Sequence, residues 1–202
     1  MKSMRQEKHN HSSLKTVNGI SQEIAKMMVE KRLIEPGDHN LLIYDDLKAF
    51  REIYSQYSRA LLPENEVVVI GTQYEAVHEV KNALRLASVD VERYLNQGTL
   101  FIVDAQQGYQ SIDSLGIWKL AMSLLIRIKK EGRRGVTVFA DLGSFFSFEK
   151  IEELMHYELS LPQNYGETLK GVCCYHSDNF EKLTESQQQT LFDHHLKSIL
   201  ID

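Results

Sequence analysis

Glu66-Val-Val-Val-Ile-Gly-Thr72 (EVVVIGT) is apolar and β-branched on both of its alternating faces. A strand of that kind belongs inside a sheet covered on each side, because a half-exposed strand would alternate apolar with polar residues. Similar runs recur on either side of it: Asn40–Asp45 (NLLIYD), Leu100–Asp104 (LFIVD), Gly135–Asp141 (GVTVFAD), Leu169–Tyr175 (LKGVCCY) and a short terminal Ile199–Ile201. Between them fall helical patterns, carried by Leu47, Phe50, Tyr54, Tyr57 and Leu61, then by Val77, Val80, Leu84 and Ala87. Leu120, Ala121, Leu124, Leu125 and Ile128 mark a long helix, and Ile151, Leu154 and Met155 another. A last helix opens on Thr184-x-x-Gln187, a capping box. Strand and helix in alternation predict an α/β domain whose mostly parallel sheet is covered by helices on both faces.

Outward from this core, residues 1–13 read as a disordered tail rich in Lys, His, Asn and Ser. Residues 14–38 hold an N-terminal amphipathic helix, with Ile20, Ile24, Met27 and Met28 at helical spacing, closed by Glu35-Pro36-Gly37-Asp38. That helix is expected to pack on the domain, with docking or homodimer formation as the alternative. The α/β domain itself runs over 39–202. The formal charge of −5 argues against direct nucleic-acid binding, which needs concentrated positive charge. The basic run Arg127–Arg134 is expected simply to end a helix, where cations offset the dipole. No stretch approaches the ~20 apolar residues that span a bilayer. The polar start lacks the apolar core of a secretory signal, and Cys173 and Cys174 are the only cysteines. A cytoplasmic protein is expected.

In an open parallel sheet the functional crevice lies beyond the carboxyl ends of the strands. Those ends carry Tyr44, Asp45, Asp46, Thr72, Asp104, Asp141, Tyr175 and His176. Any single carboxylate among them can equally cap the next helix. As a set they predict a polar pocket. Glu158 lies four residues after Leu154 and seven after Ile151, so it projects from the apolar face of its helix. A carboxylate there must be paired, hydrogen-bonded or protonated, whether for structure or for a ligand. His195 faces inward by the same reasoning, one turn after Leu191, while His194 points away. His195, with Cys173, Cys174 and His176 on the preceding strand, raises the question of a transition metal. Their spacing fits no zinc ribbon or finger, and alternation sends the two thiols to opposite faces, so no metal is expected. No phosphate loop, G-x-G-x-x-G or G-x-S-x-G motif follows any strand, and no catalytic residue or cofactor is expected.

Several short motifs, in order, give the chain a family likeness. They are His39-x-x-x-x-Tyr44, Leu62–Ile70 (LPENEVVVI), Val89-Asp90-Val91-Glu92 and Gly98-Thr99-Leu100. They continue with Gly135–Asp141, Tyr157-Glu158, Cys173-x-Tyr175 and a closing His195. From His39 to about Ile201 the chain resembles the MEDS domain, the methanogen/methylotroph sensory domain of DcmR-type repressors. The family is regarded as a relative of RecA- and KaiC-like ATPases without the ATP site. The resemblance implies a RecA-like three-layer α/β/α fold and a non-catalytic sensory or regulatory module. Small hydrocarbon derivatives are the ligands it implies, and a histidine kinase or transcription regulator the partner. Its departures are Asp141, where many members have Glu, and His176, where Asp is usual. The turn Tyr44-Asp45-Asp46-Leu47 stands where a phosphate loop would be, without glycine or lysine and with two carboxylates that would repel a triphosphate. His39, Tyr44, Asp141, Glu158, Cys173, Tyr175 and His195 are the expected ligand pocket, with Tyr44, Tyr175 and Glu158 converging on one cavity. The competing readings are a KaiC-like nucleotide-using protein with an unorthodox site, and a pure interaction module acting through the Ile20–Met28 helix.

Overall fold

Every expected strand forms, within two residues of its expected ends. The structure, a computed structural model, describes residues 15–16, 34–111, 114–166 and 168–201. The tail and the Ile20–Met28 helix lie outside them. Seven strands, β1 (Lys15–Thr16), β2 (His39–Tyr44), β3 (Glu66–Thr72), β4 (Leu100–Asp104), β5 (Gly135–Asp141), β6 (Leu169–His176) and β7 (Lys197–Ile201), make one sheet in the order β1-β7-β2-β6-β5-β3-β4. All of their pairings are parallel. This is the RecA-like α/β/α plan that the sequence led us to expect. The two-residue β1 had no signal of its own; it forms by adding Lys15 and Thr16 beside Ile199 and Leu200.

One face of the sheet carries α1 (Leu47–Leu61), α2 (Val77–Leu86) and α3 (Val91–Asn96). Phe50, Ile53, Tyr54 and Tyr57 of α1 are buried there against Leu42, Tyr44, Val68, Ile70 and Cys174. Each such apolar side chain contributes about 1.5–3 kcal/mol when removed from water. The other face carries, among others, α5 (Ser114–Lys130), α7 (Ile151–Ser160) and α9 (Glu185–His194), after the short α4 (Ala105–Ser111), α6 (Gly143–Ser147) and α8 (Ser177–Phe180). Leu154, Tyr157 and Leu191 pack on that side against Leu41, Ile43, Cys173 and Tyr175. Cys173 and Cys174 therefore enter different cores, as strand alternation requires.

Helix starts account for two of the carboxylates at strand ends. Asp46 caps α1 by accepting from the Lys48 N–H at 2.9 Å, and Asp104 accepts from the Gln107 N–H at 2.8 Å. The Thr184 capping box opens α9 as its spacing implies. No described helix is long and apolar enough to cross a membrane.

Candidate functional site

The seven expected site residues separate into two groups on opposite faces of the sheet. Alternation along β2 sends His39 to one face and Tyr44 to the other, and the β2–β6 register sets His39 beside Gly171 and Tyr44 beside His176. The single cavity expected for Tyr44, Tyr175 and Glu158 is therefore corrected. Tyr44 donates to Asp141 at 2.9 Å and stacks on Phe50 in the α1 core. Tyr175 donates to Glu158 at 2.5 Å in the α7/α9 core.

The larger group is His39, Glu158, Cys173, Tyr175 and His195. Glu158 is wholly buried, reached from α7 at the turn that its spacing from Leu154 marked. Its Oε1 accepts from Tyr175, and its Oε2 accepts from the Cys173 thiol at 3.4 Å. The same Oε2 lies 3.5 Å from His39 Nε2 and 3.6 Å from His195 Nε2. His39 Nε2 is also 3.3 Å from Cys173 Sγ. His195 follows the last turn of α9, and its Nδ1–H donates to the Leu191 carbonyl at 2.7 Å. That bond leaves Nε2 pointing into the cluster, buried and without a hydrogen-bond partner, as is His39 Nδ1. The Tyr165 ring lies 5.0 Å from that of His39, and it sits where a side chain on Gly171 would be. His194 does not simply face away: it is half-buried and donates to the Leu161 carbonyl at 3.0 Å.

A second correction concerns place. His39 is the first residue of β2, so this group lies beneath α7 and α9 on a sheet face rather than along the carboxyl rim. Strand-end reasoning found Tyr175 but could not locate the group, because three of its members come from a strand start, a helix face and a helix end.

Burial governs the electrostatics. It lowers the pKa of His39, which favours the neutral ring. It raises the Cys173 thiol, with the Glu158 charge adding to the effect. Burial also works to raise the Glu158 carboxyl, but the His195 and His39 rings 3.6 and 3.5 Å away oppose it electrostatically and hold it below the usual carboxylate range. An ionised carboxylate, a protonated thiol and two histidine rings thus share one buried space.

The carboxyl rim is a different network. Asp141 accepts from Tyr44, from the Gly143 N–H at 2.9 Å and from the Gln73 N–H at 3.4 Å. Burial still pushes its carboxyl up to about 6. Ser144 donates to Gln73 and Asn179 to Tyr74. Gln73, Tyr74, Ser144 and Asn179 carry no sequence signal, since uncharged polar residues in loops and short helices are common. A third group escaped notice although its signal was present. Glu66 and Lys170 are charged residues at strand positions, and Lys170 Nζ lies 2.6 and 2.8 Å from the two Glu66 oxygens with both side chains nearly buried.

The family model for the MEthanogen/methylotroph, DcmR Sensory domain matches residues 38–195. The chain belongs to the MEDS family. The match begins one residue before His39 and ends on His195, so the two histidines of the cluster bracket the MEDS domain. No curated protein matches the chain. Among solved structures, an uncharacterised protein of Pyrococcus horikoshii, crystallised with an unknown peptide, is 15% identical with a TM-score of 0.61; the match covers 88% of this chain and 82% of that one. That likeness shows the fold. A KaiC-like protein from Pyrococcus horikoshii OT3 also matches, at 13% identity and a TM-score of 0.49, over 86% of this chain and 66% of the other. Membership of a family of sensory domains points to a sensory or regulatory role.

Proposed function

We propose that this MEDS domain is a non-catalytic sensory module whose input is read at the His39–Glu158–Cys173–Tyr175–His195 cluster and passed to a separate signalling protein. One observation carries the reading. A buried carboxylate faces an imidazole nitrogen that has no hydrogen-bond partner. An unpartnered buried polar atom is costly, about 1–3 kcal/mol, and a fold rarely keeps one without use. The residues that a nucleotide would need are engaged elsewhere. The α1 start is capped by the Asp46 carboxylate, an anion where a phosphate would have to sit. Asp141, placed like the acid of an ATPase strand, is held by three donors and elevated in pKa.

Two measurements test this. Calorimetry with ATP and magnesium should show no binding; micromolar binding that is lost in Asp141→Asn would favour the nucleotide-using alternative. Native mass spectrometry of freshly purified protein, beside Glu158→Gln, should show a retained species in the first and not in the second. Equal retention by both would remove the cluster as the sensory site.

A further inference from the structure

We propose that His39 Nε2, Glu158 Oε2, Cys173 Sγ and His195 Nε2 form a tetrahedral site for a divalent transition-metal ion of the zinc class, and that this ion is the input the domain reads. The inference rests on the sensory reading above and names its ligand.

Geometry comes first. Four donor atoms from His39, Glu158, Cys173 and His195, all buried, lie within 4.8 Å of one another. Zinc holds nitrogen, oxygen and sulfur donors at about 2.0–2.3 Å, and a tetrahedron on such bonds has edges of about 3.3–3.8 Å. Four of the six edges here already measure 3.3, 3.4, 3.5 and 3.6 Å. A small inward movement of His195 and Cys173 completes the figure.

The surroundings are those of a ligand set. The His195 Nδ1–H bond to Leu191 orients the ring so that Nε2 is the atom that points inward, free to coordinate a metal once it carries no proton. The Tyr175 hydroxyl holds the non-coordinating oxygen of Glu158. That His195 nitrogen faces a carboxylate oxygen 3.6 Å away, with both side chains buried. Two electron-rich atoms so placed call for a cation between them, either a proton or a metal. Charge favours the metal. A thiolate and a carboxylate cancel a divalent charge and neutral imidazoles add none, so the filled site is neutral where solvent cannot help.

Of the residues that first raised a metal, His195 and Cys173 belong to this site, while Cys174 and His176 do not; His39 and Glu158 complete it. With four protein donors no position is left open for a substrate, which suits a sensor and not a hydrolase. The ion would join the start of β2, α7, β6 and the end of α9.

Binding is an exchange of cation for proton. The Cys173 S–H bond breaks, the sulfur lone pair forms the bond to the metal, and the proton leaves to solvent. At least one proton is therefore released per ion, and affinity should rise at least about tenfold per pH unit while the thiol is protonated.

The test is a titration of the full-length, reduced, metal-stripped chain with Co2+, then Zn2+. One equivalent of Co2+ should give tetrahedral visible bands and a near-ultraviolet thiolate charge-transfer band, both displaced by Zn2+. Cys173→Ser should lose the charge-transfer band. Tyr175→Phe, which keeps the ring and all four donors, should bind about 10–100-fold more weakly. Circular dichroism checks that each variant is folded, and the wild-type spectrum and proton count stand without any variant. Absence of stoichiometric Co2+ binding by folded wild-type protein overturns the proposal. So does binding undiminished in Cys173→Ser, which would place the ion elsewhere, for example at His9 and His11. If neither ion binds but another small molecule stabilises wild type and not Glu158→Gln, the metal fails and the sensory reading stands. If the ion binds and the output is indifferent to it, the ion is structural and the proposal that it is the input is overturned.

Discussion

Replacing Glu158 with leucine removes the one anion of the buried cluster and leaves its neighbours in place. Glu158 has no exposed side-chain surface and accepts from Tyr175 at 2.5 Å and Cys173 at 3.4 Å. An apolar residue in place of a whole buried charged group is often neutral, but one that strands a partner is not. Here the Tyr175 hydroxyl is stranded, at about 1–3 kcal/mol, and the thiol adds a smaller loss. The expected cost of Glu158→Leu is about 2–4 kcal/mol, overlapping the lower part of the ~3–5 kcal/mol for breaking a buried pair. Adding Tyr175→Phe removes the stranded hydroxyl and should restore about 1–2 kcal/mol, although it is a second core change. Urea unfolding of the two single variants and the double, read by linear extrapolation, measures this coupling. A Glu158→Leu protein as stable as wild type, with no recovery in the double variant, would refute the pairing. The pH dependence gives a second reading. The carboxyl is depressed in the folded state, so its stabilisation is complete above the ordinary value of 4.5 and is lost as pH falls through the lower folded value. Glu158→Gln should lose that acid dependence.

Asp141 has the opposite sign. Its folded pKa of about 6 lies above its ordinary 3.8, so its contribution is present below pH 3.8 and is lost as pH rises through 6. The difference is about 2.4 kcal/mol between pH 4 and 7, and Asp141→Asn should flatten it; the same unfolding profile in both proteins would overturn the assignment. Lys170→Met leaves Glu66 buried without its ammonium and should cost about 3–5 kcal/mol, while Lys170→Met with Glu66→Leu should recover much of it. Equal unfolding midpoints for wild type and Lys170→Met would show that the pair does not form in solution.

The layers of this domain were legible from local sequence alone. Strand and helix periods are set by backbone geometry, so EVVVIGT and GVTVFAD reported buried strands, and Leu154 with Ile151 showed that Glu158 faces inward. The divergence of Cys173 and Cys174 followed from the same rule. Family motifs nominated His39, Cys173, Tyr175 and His195 but said nothing of which residues touch. That depended on register: only the pairing of His39 with Gly171 and of Leu41 with Cys173 decides which face of β2 meets which face of β6. Register is settled by which faces are buried across the whole sheet, and a slip of one residue would exchange them. Tyr44 and Asp141 were thus grouped with Tyr175 and Glu158, although the sheet stands between them. Sequence alone determined that a carboxylate, a thiol and two histidines were available. Tertiary structure brought them within a few ångströms, because residues 39, 158, 173 and 195 become neighbours only when β2, α7, β6 and the end of α9 are packed together.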